Sequence, residues 1–594
     1  MSWKIKKRLQ KRLAKEKGSI VKDWGGKTCV ALAFPNRYHL AMSNLGFLSV
    51  YGMFNRRSDV VCERVFYPDP DEKLLIHKRP GSLLSLESQR PVRDFDFLFF
   101  SVPFESDYTN VLEIMQMANI PLRSDQRDHS HPLVAFGGVT SFLNPEVLAP
   151  FMDFVFVGEG ENFWDSFWDF VKEYPPYGDR AEWLKVLAKT IPGIYVPSFY
   201  RDSYYDDGTL RSVEPVFADL PEKIVVQKAD FRSCNPPHSV IRTGDTEFSD
   251  FHLVEIGRGC ARGCRFCAAG YIYRPPRFHD AKKILETRAI EDDDKGRWGL
   301  VSAAVGDHPQ IDTICQTLSE HSCEVSFSSL RADTLKSSVM EALMAGNHQA
   351  VAIAPEAGSE RLRRVINKHL TEAQLCEAVA ELTKHGIKHL KLYFMVGLPT
   401  ETDDDIKAIV TLVKQLKHEM VKVAKGLGNL GEIIVNVNSF VPKPFTPFQW
   451  VPFDEVESLK SKIRFLKRSF SGVSNVRFYA DVPKWSYVQA LLARGDRRVG
   501  RFLEKVVLEQ KGWFTVMKEV PWNADFWVYR QRKPDELFPW EIIDHGIKKT
   551  FLWSELNAAL DAIETPGCPA KNGCILCGVC QKYSDLLGTI TEND

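Results

Sequence analysis

Two stretches of this chain alternate short apolar runs with helical segments, and this alternation constrains the fold more than any other feature. In the first stretch the runs are TCVALAFP, VVCERVFYP, FDFLFFSVP, PLVAFGGV and FVFVGEGE. In the second stretch they are FHLVEIG, WGLVSAAV, EVSFSSL, AVAIAP, HLKLYFMVG and EIIVNVNSFV. Runs of this kind are typical of buried parallel strands. Each stretch therefore predicts an α/β unit built on a parallel sheet.

The 594 residues are enough for several domains. We predict a doubly wound, flavodoxin- or Rossmann-like sheet over residues 28–212. We predict a partial (β/α)6 TIM barrel over 251–474, because six strand–helix units occur where a full barrel has eight. A basic arm (1–27), a proline-containing linker (213–250) and a C-terminal domain with a cysteine cluster (475–594) complete the chain.

The composition excludes several classes of protein. Lys plus Arg and Asp plus Glu each number 77, so the zero net charge gives no general attraction to nucleic acid or membranes. No apolar run reaches the roughly 20 residues of a membrane-spanning helix. Thirteen cysteines are too few for a disulfide scaffold in a chain of this length, and seven of them form two tight clusters. This pattern indicates metal binding in a reducing compartment, and we expect the cytoplasm.

The N-terminal sequence MSWKIKKRLQKRLAKEKG is basic and lacks the apolar core of a secretory signal. One interpretation is an amphipathic arm that binds RNA or anionic lipid. The other, which we favour, is a solvated helix that packs on the body of the protein through Trp3, Ile5, Leu9 and Leu13.

Cys260, Cys264 and Cys267 lie in GRGCARGCRFCAAG with the spacing C-x3-C-x2-C. Thiolates are soft ligands that suit iron–sulfur clusters and zinc. Three ligands within eight residues can hold three corners of a cubane cluster and leave the fourth iron open. Zinc usually requires four protein ligands, and no fourth Cys or His lies at knuckle spacing here. We therefore predict a [4Fe-4S] cluster.

These cysteines, together with Phe266 before the last of them, resemble the motif of the radical S-adenosylmethionine (SAM) superfamily. The resemblance implies that the open iron binds the amino and carboxylate groups of SAM. It also implies that one electron from the cluster cleaves SAM to a 5′-deoxyadenosyl radical. Such an enzyme needs a reductant such as flavodoxin or ferredoxin, while its own residues orient the cofactor. Six strand–helix units, with the cysteines just after the first strand, also match the partial barrel of this family.

The carboxyl ends of barrel strands are where catalysis occurs in such folds, so they supply the candidate SAM contacts. Gly306 and Asp307 follow the second strand, where the family often has Gly-Gly-Glu for the SAM ammonium; the alternative is a helix N-cap. Ser329 and Arg331 follow the third strand. The Arg331 guanidinium suits the SAM carboxylate, and the alternative is a surface ion pair with Asp333.

Glu356 and Ser359 follow the fourth strand, where the family contacts the ribose and carboxylate of SAM. A carboxylate can accept bonds from two ribose hydroxyls, whereas the alternative for this segment is a helix cap with ion pairs. Gly397 follows the fifth strand and would let the backbone approach the adenine. Its alternative is a tight turn that needs glycine for packing alone.

Two segments of the first domain, GGVTSFLNPE (137–146) and DFVFVGEGE (153–161), resemble the cobalamin-binding-like domain that precedes many radical SAM domains. Gly137 and Gly138 are the candidate cofactor contacts. The Asp-x-His-x-x-Gly motif that supplies a histidine below cobalt is absent, because His39 lacks both the Asp and the Gly. Two alternatives stay open: cobalamin bound without a protein histidine, or a domain that has lost it and uses its glycines only for turns.

The second cysteine cluster is Cys568, Cys574, Cys577 and Cys580, with the spacing C-x5-C-x2-C-x2-C. Consecutive x2 spacings resemble bacterial ferredoxin sequences, whereas structural zinc more often pairs two separated knuckles. We predict a second iron–sulfur cluster, with zinc as the alternative. It could relay electrons, anchor substrate or hold the tail.

The predicted function is that of a radical SAM enzyme, with methyl transfer to an unidentified substrate if cobalamin binds. One alternative is cobalamin-free radical chemistry such as hydrogen abstraction, rearrangement or sulfur insertion. Another is a non-catalytic iron–sulfur binding or electron-transfer protein. The open three-cysteine site disfavours this last class, because pure electron transfer prefers four ligands. The N-terminal domain has only Cys29 and Cys62, which disfavours a methylthiotransferase.

Overall fold

The structure is a computed structural model that describes residues 2–79, 81–288, 296–346, 349–425 and 431–586. The sequence also favours a helix near 280–291, and the end of that range lies outside the described residues, as do the last eight residues of the predicted C-terminal domain.

The N-terminal part is built on a six-stranded sheet in the order β2-β1-β3-β4-β5-β6. Its strands are β1 (Thr28–Phe34), β2 (Val60–Phe66), β3 (Phe97–Ser101), β4 (Leu133–Gly137), β5 (Phe154–Phe156) and β6 (Ile194–Tyr195). Its helices are α1 (Ser2–Leu13), α2 (Tyr38–Ala41), α3 (Leu45–Arg56), α4 (Pro70–His77), α5 (Tyr108–Met117), α6 (Trp164–Glu173) and α7 (Arg180–Thr190). Strands β1 to β5 are parallel and β6 is antiparallel. The order 2-1-3-4-5 is the flavodoxin-like order of doubly wound folds, as expected.

These strands have continuous apolar sequences because their residues are buried on both faces of the sheet. Every residue of β2 is buried, including Arg64, whose guanidinium is paired with Glu16 and Glu87 at 2.6 and 2.7 Å. Helix α1 packs on this part through Ile5 and Leu9, which are 4% and 7% exposed. The prediction was wrong for Trp3, which is 66% exposed because it lies outside the apolar stripe.

The predicted linker contains more regular structure than expected. Strands β7 (Tyr200–Tyr204) and β8 (Leu210–Pro215) form a hairpin that crosses the boundary placed at residue 212. Strand β9 (Ile224–Val225) pairs in parallel with a short strand near the C-terminus.

The second part contains a parallel partial barrel in two sheets, β10-β13-β14 and β15-β16-β17-β18. The strands are β10 (His252–Glu255), β11 (Gly257–Arg258), β12 (Arg277–Phe278), β13 (Arg297–Val301), β14 (Glu324–Phe327), β15 (Ala350–Glu356), β16 (His389–Val396), β17 (Glu432–Ser439) and β18 (Val476–Ala480). The helices are α8 (Ala269–Ile272), α9 (Ala281–Leu285), α10 (Ile311–Glu320), α11 (Ser337–Ala345), α12 (Glu360–Val365), α13 (Glu372–Lys384), α14 (Asp403–Ala424) and α15 (Val456–Phe470).

Six barrel strands are those expected from the sequence, and β18 adds a further parallel strand beside β17. It lies two residues beyond the boundary predicted at residue 474. Its residues alternate between exposed and half-buried, so it is an edge strand and lacks the continuous apolar run that marks the others.

The C-terminal segment packs against the N-terminal part. Its elements are α16 (Pro483–Arg494), α17 (Arg497–Glu509), α18 (Trp513–Glu519), α19 (Asp525–Val528), β19 (Ile543–Asp544), α20 (Lys549–Leu560) and α21 (Val579–Lys582). Helix α17 packs on α5. The Asn144 amide donates to the carbonyls of Ala493 and Gly495 at 3.1 and 2.8 Å, and Arg497 pairs with Glu146 at 2.7 Å. The Asn-Pro-Glu sequence therefore holds the C-terminal helices.

Among the described helices, none combines the length and the apolar character needed to cross a membrane.

Candidate functional site

The three-cysteine loop, residues 260–267, follows β10 and β11 at the carboxyl end of the first barrel strand. Gly259 has a φ of +90°, and a Cβ there would lie 2.8 Å from the Tyr273 carbonyl oxygen, so the turn requires glycine. Burial, together with the neighbouring Cys264 and Cys260 thiols, raises the pKa of the Cys267 thiol to about 12. The structure thus places the three thiols, one buried and two half-buried, in one loop after the first barrel strand.

Arg262 ties this loop to the ends of the next two strands. Its Nε donates to Asp307 Oδ2 at 2.9 Å, and its Nη1 donates to Asp333 Oδ2 at 3.1 Å. Asp307 is not a helix N-cap, because α10 begins at Ile311 and Gln310 holds the capping position. Asp307 instead positions the three-cysteine loop through Arg262.

Arg331 Nε lies 2.9 Å from Asp333 Oδ1, so the ion pair expected as the alternative interpretation is present. Arg331 is not on the surface, however. Its side chain is only 11% exposed, and its Nη2 donates to the Lys368 carbonyl at 3.1 Å. Burial opposes the charge of Arg331, yet Asp333 and the Cys264 thiol raise the pKa of the guanidinium overall. A permanent positive charge therefore lies beside the three-cysteine loop.

Glu356 ends β15 with a φ of +67°, which is uncommon for a residue other than glycine. The register of β15 against β16 shifts between Ile353 and Glu356, next to this residue. Lys368 Nζ lies 3.3 Å from Glu356 Oε1. Burial raises the pKa of the Glu356 carboxyl, and Lys368 opposes that rise. Strain and a perturbed carboxyl at the carboxyl end of a barrel strand make Glu356 a strong functional candidate.

Two other candidates have structural partners instead. Ser359 Oγ accepts from the Leu362 amide at 3.1 Å as the N-cap of α12 and also bonds Asp405. Gly397 has a φ of +85°, and a Cβ there would lie 2.9 Å from Leu459. Both observations fit the alternative interpretations, a helix cap and a packed turn.

The remaining barrel candidates hold the strand ends together. Ser329 Oγ donates to the Ser302 carbonyl at 3.0 Å. A Cβ on Gly306 would lie 2.6 Å from Thr334 Oγ1. Phe266 is half-buried and packs against the hydrophobic core.

A cavity of about 490 Å³ lies between the carboxyl ends of the N-terminal strands and the barrel. Gly137 and Gly138 line one side, and Glu255, Arg258 and Ser328 line the other. Most of the wall is apolar, and its aromatic members are Phe54, Phe99, Phe100, Phe142, Phe156, Phe163, Trp164, Phe248 and Tyr273. The volume suits a small organic molecule. The cavity includes the ends of β1 and β3, the switch point at which doubly wound folds bind ligands.

A buried ionic cluster closes one end of this cavity. Arg258, two residues before the first cysteine, pairs with Glu159 at 2.9 Å, Glu161 at 2.7 Å and Glu255 at 2.5 Å. Arg277 also pairs with Glu159, at 2.6 Å. Burial alone would raise the pKa of Glu159, but Arg277 and Arg258 lower it to about 2. The Gly-Glu-Gly-Glu segment therefore docks the N-terminal sheet onto the three-cysteine loop.

Sequence reasoning missed the arginines at 258, 262 and 265. A signal was present, since these arginines alternate with the three cysteines over ten residues. Guanidinium groups offer several donors in a fixed plane, so a loop that carries them can be held from several directions.

His39 does not face the cavity. Its ring nitrogens lie 3.2 Å from Asp245 and 3.1 Å from Glu247, and its side chain is 43% exposed. The described residues that line the cavity include no histidine.

In the tail, Cys577 and Cys580 are buried, and Cys568 and Cys574 are half-buried. Burial and the other three thiols raise the pKa of the Cys580 thiol to about 12. Burial, with the Cys577 and Cys574 thiols, likewise raises the pKa of the Cys568 thiol. Within the described ranges, no group of three or more His, Cys, Asp or Glu side chains is arranged to hold a metal ion. A cubane cluster binds each thiolate to a separate iron and does not require thiolates around one ion.

Comparisons with known proteins agree with this barrel and loop. Residues 254–413 match the family model of the radical SAM superfamily, and residues 46–197 match that of the N-terminal region of radical SAM proteins. The uncharacterized protein MJ0966 of Methanocaldococcus jannaschii is 30% identical over 423 residues, which are 70% of this chain and 82% of that protein. A partial parallel barrel with three cysteines after its first strand defines the class. The chain belongs to the radical SAM superfamily.

Two solved structures show a distant likeness. Apo OxsB, described as a cobalamin-dependent S-adenosylmethionine radical enzyme, matches with a TM-score of 0.42 and 15% identity, over 65% of this chain and 51% of that one. Streptococcus suis SuiB bound to S-adenosylmethionine matches with a TM-score of 0.27 and 14% identity, over 39% and 50%. The matches span about half the length of each structure and indicate nothing about activity or cofactors.

Proposed function

We propose that this protein is a radical SAM enzyme in which Cys260, Cys264 and Cys267 hold a [4Fe-4S] cluster with one open iron. The observation that carries the proposal is the position of these three cysteines in one short loop at the carboxyl end of the first barrel strand. Bound together, the cluster and SAM supply a 5′-deoxyadenosyl radical. The donor set fits this group, because cysteine thiolates are the soft ligands that hold iron–sulfur clusters and three of them leave one iron open.

Charged side chains beside the loop are suited to bind SAM. Arg331 offers two donors to a carboxylate, and Glu356 offers two oxygens to the ribose hydroxyls. A carboxylate has about four acceptor positions, so Asp307 can accept from the SAM ammonium while it stays paired with Arg262. We assign these roles as part of the proposal.

The substrate, in this proposal, occupies the cavity between the N-terminal sheet and the barrel. Arg258 connects the two sites, because it lines the cavity and lies two residues before Cys260. The apolar wall suits an apolar substrate, and Glu255 and Ser328 offer hydrogen bonds at one end. Apolar walls also exclude water from a reactive radical.

The test compares Cys264→Ala with Cys376→Ala, a half-buried cysteine on α13, after anaerobic reconstitution. The first variant should lose one cluster's worth of iron, the paramagnetic resonance signal that responds to SAM, and deoxyadenosine formation. The control should keep all three. Undiminished deoxyadenosine formation by Cys264→Ala would contradict the proposal. A cluster in the unaltered protein without any SAM cleavage would favour the electron-transfer alternative.

Cobalamin-linked methyl transfer is the second candidate, because the cavity lies at the switch point where cofactors bind in doubly wound folds. Its volume of about 490 Å³ suits a drug-sized ligand, and a complete corrinoid with its nucleotide is far larger. We therefore favour cobalamin-free radical chemistry. Anaerobic titration with cobalamin should give no change in the optical spectrum of the cofactor. If cobalamin binds and its paramagnetic resonance spectrum shows no nitrogen splitting from a lower ligand, methyl transfer becomes the favoured reaction.

A low-potential reductant such as flavodoxin or ferredoxin completes the proposal. Seven of the thirteen cysteines fall into two tight clusters, a pattern that suits metal binding in a reducing compartment, and we propose the cytoplasm.

A further inference from the structure

The C-terminal tail, residues 561–586, lies directly on the three-cysteine loop. The Cys568 amide donates to the Ala261 carbonyl at 2.5 Å. From standard backbone lengths, the Cα atoms of Cys568 and Cys260 are then separated by at most about 10 Å. A Cβ on Gly567 would lie 2.5 Å from the same carbonyl oxygen, so glycine permits this close approach.

Two side chains of the barrel hold the tail in this position. Arg265, fully buried between the second and third cysteines, donates to the Ile563 carbonyl at 2.8 Å. The Asn367 amide donates to the carbonyls of Thr565 and Gly263, at 3.1 and 3.2 Å. The tail and the three-cysteine loop therefore share hydrogen-bond partners and form one packed unit.

Arg274 lies between the two groups of cysteines. Burial opposes the charge of its guanidinium, but Tyr271 and the Cys568 and Cys577 thiols raise the pKa of the group overall. A Cβ on Gly263, inside the three-cysteine loop, would lie 3.9 Å from Arg274 Nη2. A cation at this place stabilises anionic thiolate ligands on its tail side.

The other side of the tail cluster faces solvent. Ile575 and Leu576, between Cys574 and Cys577, are 63% and 61% exposed. None of the described tail residues lines the cavity between the domains, so the tail does not anchor a substrate there. The tail cysteines thus lie between the protein surface and the three-cysteine loop.

We propose that Cys568, Cys574, Cys577 and Cys580 hold a second [4Fe-4S] cluster that passes single electrons to the first. The inference rests on the proposed function of the three-cysteine loop. Four thiolates complete the ligation of such a cluster and leave no iron open for SAM or substrate. In each cycle a reduced flavodoxin loses one electron to the tail cluster, which passes that electron to the first cluster. No bond forms or breaks in this step.

The test uses the full chain with Cys574→Ala and Cys577→Ala together, beside Cys315→Ala with Cys376→Ala as the matched control. The tail variant should lose one cluster's worth of iron and keep the signal that responds to SAM. Reduction of its first cluster by reduced flavodoxin should slow by about tenfold or more, as expected when a group that acts in one step is removed. Dithionite, a small reductant, should still reduce that cluster at nearly the control rate.

Equal rates with flavodoxin in the tail variant and the control would overturn the inference and leave the tail cluster as a structural support. Unchanged iron with loss of zinc would overturn the choice of metal. If the tail variant does not fold, the paramagnetic resonance spectrum of the fully reduced unaltered protein is the test. The inference expects two interacting paramagnetic centres in that spectrum. A single isolated centre overturns it. Failure of the proposed function is a separate result, because the intact protein would then not cleave SAM even with dithionite.

Discussion

At the residue scale, arginines on either side of Cys260 hold the three-cysteine loop from opposite directions. Arg258 reaches carboxylates of the N-terminal sheet, and Arg262 reaches Asp307 and Asp333 of the barrel. Each guanidinium binds more than one carboxylate, which a lysine could not do with the same geometry. The position of the loop therefore depends on both parts of the protein.

Glu356→Gln keeps the size of the side chain and removes its charge. We expect SAM to bind about tenfold more weakly, because a hydrogen bond to a charged group contributes about 1.5–3 kcal/mol. Titration of the reconstituted protein with SAM, followed by paramagnetic resonance, measures this. Glu360→Gln, a half-exposed carboxylate in the first turn of α12, is the control. Equal affinities in the two variants would show that Glu356 does not contact SAM.

Glu159→Gln tests the buried ionic cluster. The pKa of Glu159 is lowered from 4.5 to about 2, so its ion pairs stabilise the fold above pH 4.5. That contribution is lost as the pH falls from 4.5 towards 2. Near neutral pH the variant should be about 3–5 kcal/mol less stable, the usual cost of removing one partner of a buried pair.

Urea unfolding over this pH range measures the difference between Glu159→Gln and the unaltered protein, which should shrink below pH 4.5. Glu173→Gln, at the exposed end of α6, should match the unaltered protein at every pH. A difference between Glu159→Gln and the unaltered protein that stays constant with pH would contradict the assignment.

At the scale of elements, the C-terminal helices α16 and α17 are attached to the N-terminal sheet through one short segment. Asn144 and Glu146 supply the polar contacts, and α5 supplies the packing surface. A segment that resembles part of a cofactor domain in sequence therefore serves here to join elements that lie about 350 residues apart.

Asn144→Ala should weaken this attachment. Two buried carbonyls would lose their donor, and an unsatisfied buried group costs about 1–3 kcal/mol, so we expect a loss of about 2–4 kcal/mol. Chemical denaturation followed by circular dichroism measures it. The control is Asn110→Ala, which removes one bond to the Pro35 carbonyl within the N-terminal part. A loss no larger than that of the control would argue against the docking role.

At the scale of the whole molecule, Arg265 connects the barrel to the tail. Its side chain donates to Glu555 of α20, to Ile563 and Thr565 of the tail, and to two carbonyls of the barrel. Arg265→Lys keeps the charge but offers only three donors from one atom. Limited proteolysis should then cut residues 561–586 several-fold faster. Arg364→Lys, an exposed neighbour, should behave like the unaltered protein; equal cleavage of the two variants would contradict this role.

Most strands and barrel helices were predictable, because a buried strand between two covered faces leaves an apolar run in the sequence. The three-cysteine loop was recognisable for a similar reason, since its ligands lie within eight residues. Strand β18 was not predictable in this way, because an exposed edge imposes no apolar run. The roles of Ser359 and Gly397 also stayed undecided, since a cap and a cofactor contact use the same residue types.

The sequence by itself determined the two α/β parts, the family and both groups of cysteines, because periodicity and short spacing are properties of neighbouring residues. Only the tertiary structure decided that Asp307 pairs with Arg262, that Glu159 docks on Arg258, and that Cys568 lies on the three-cysteine loop. The last of these contacts joins residues about 300 positions apart. Such pairings depend on how the sheets and helices pack, and local patterns carry no information about that packing.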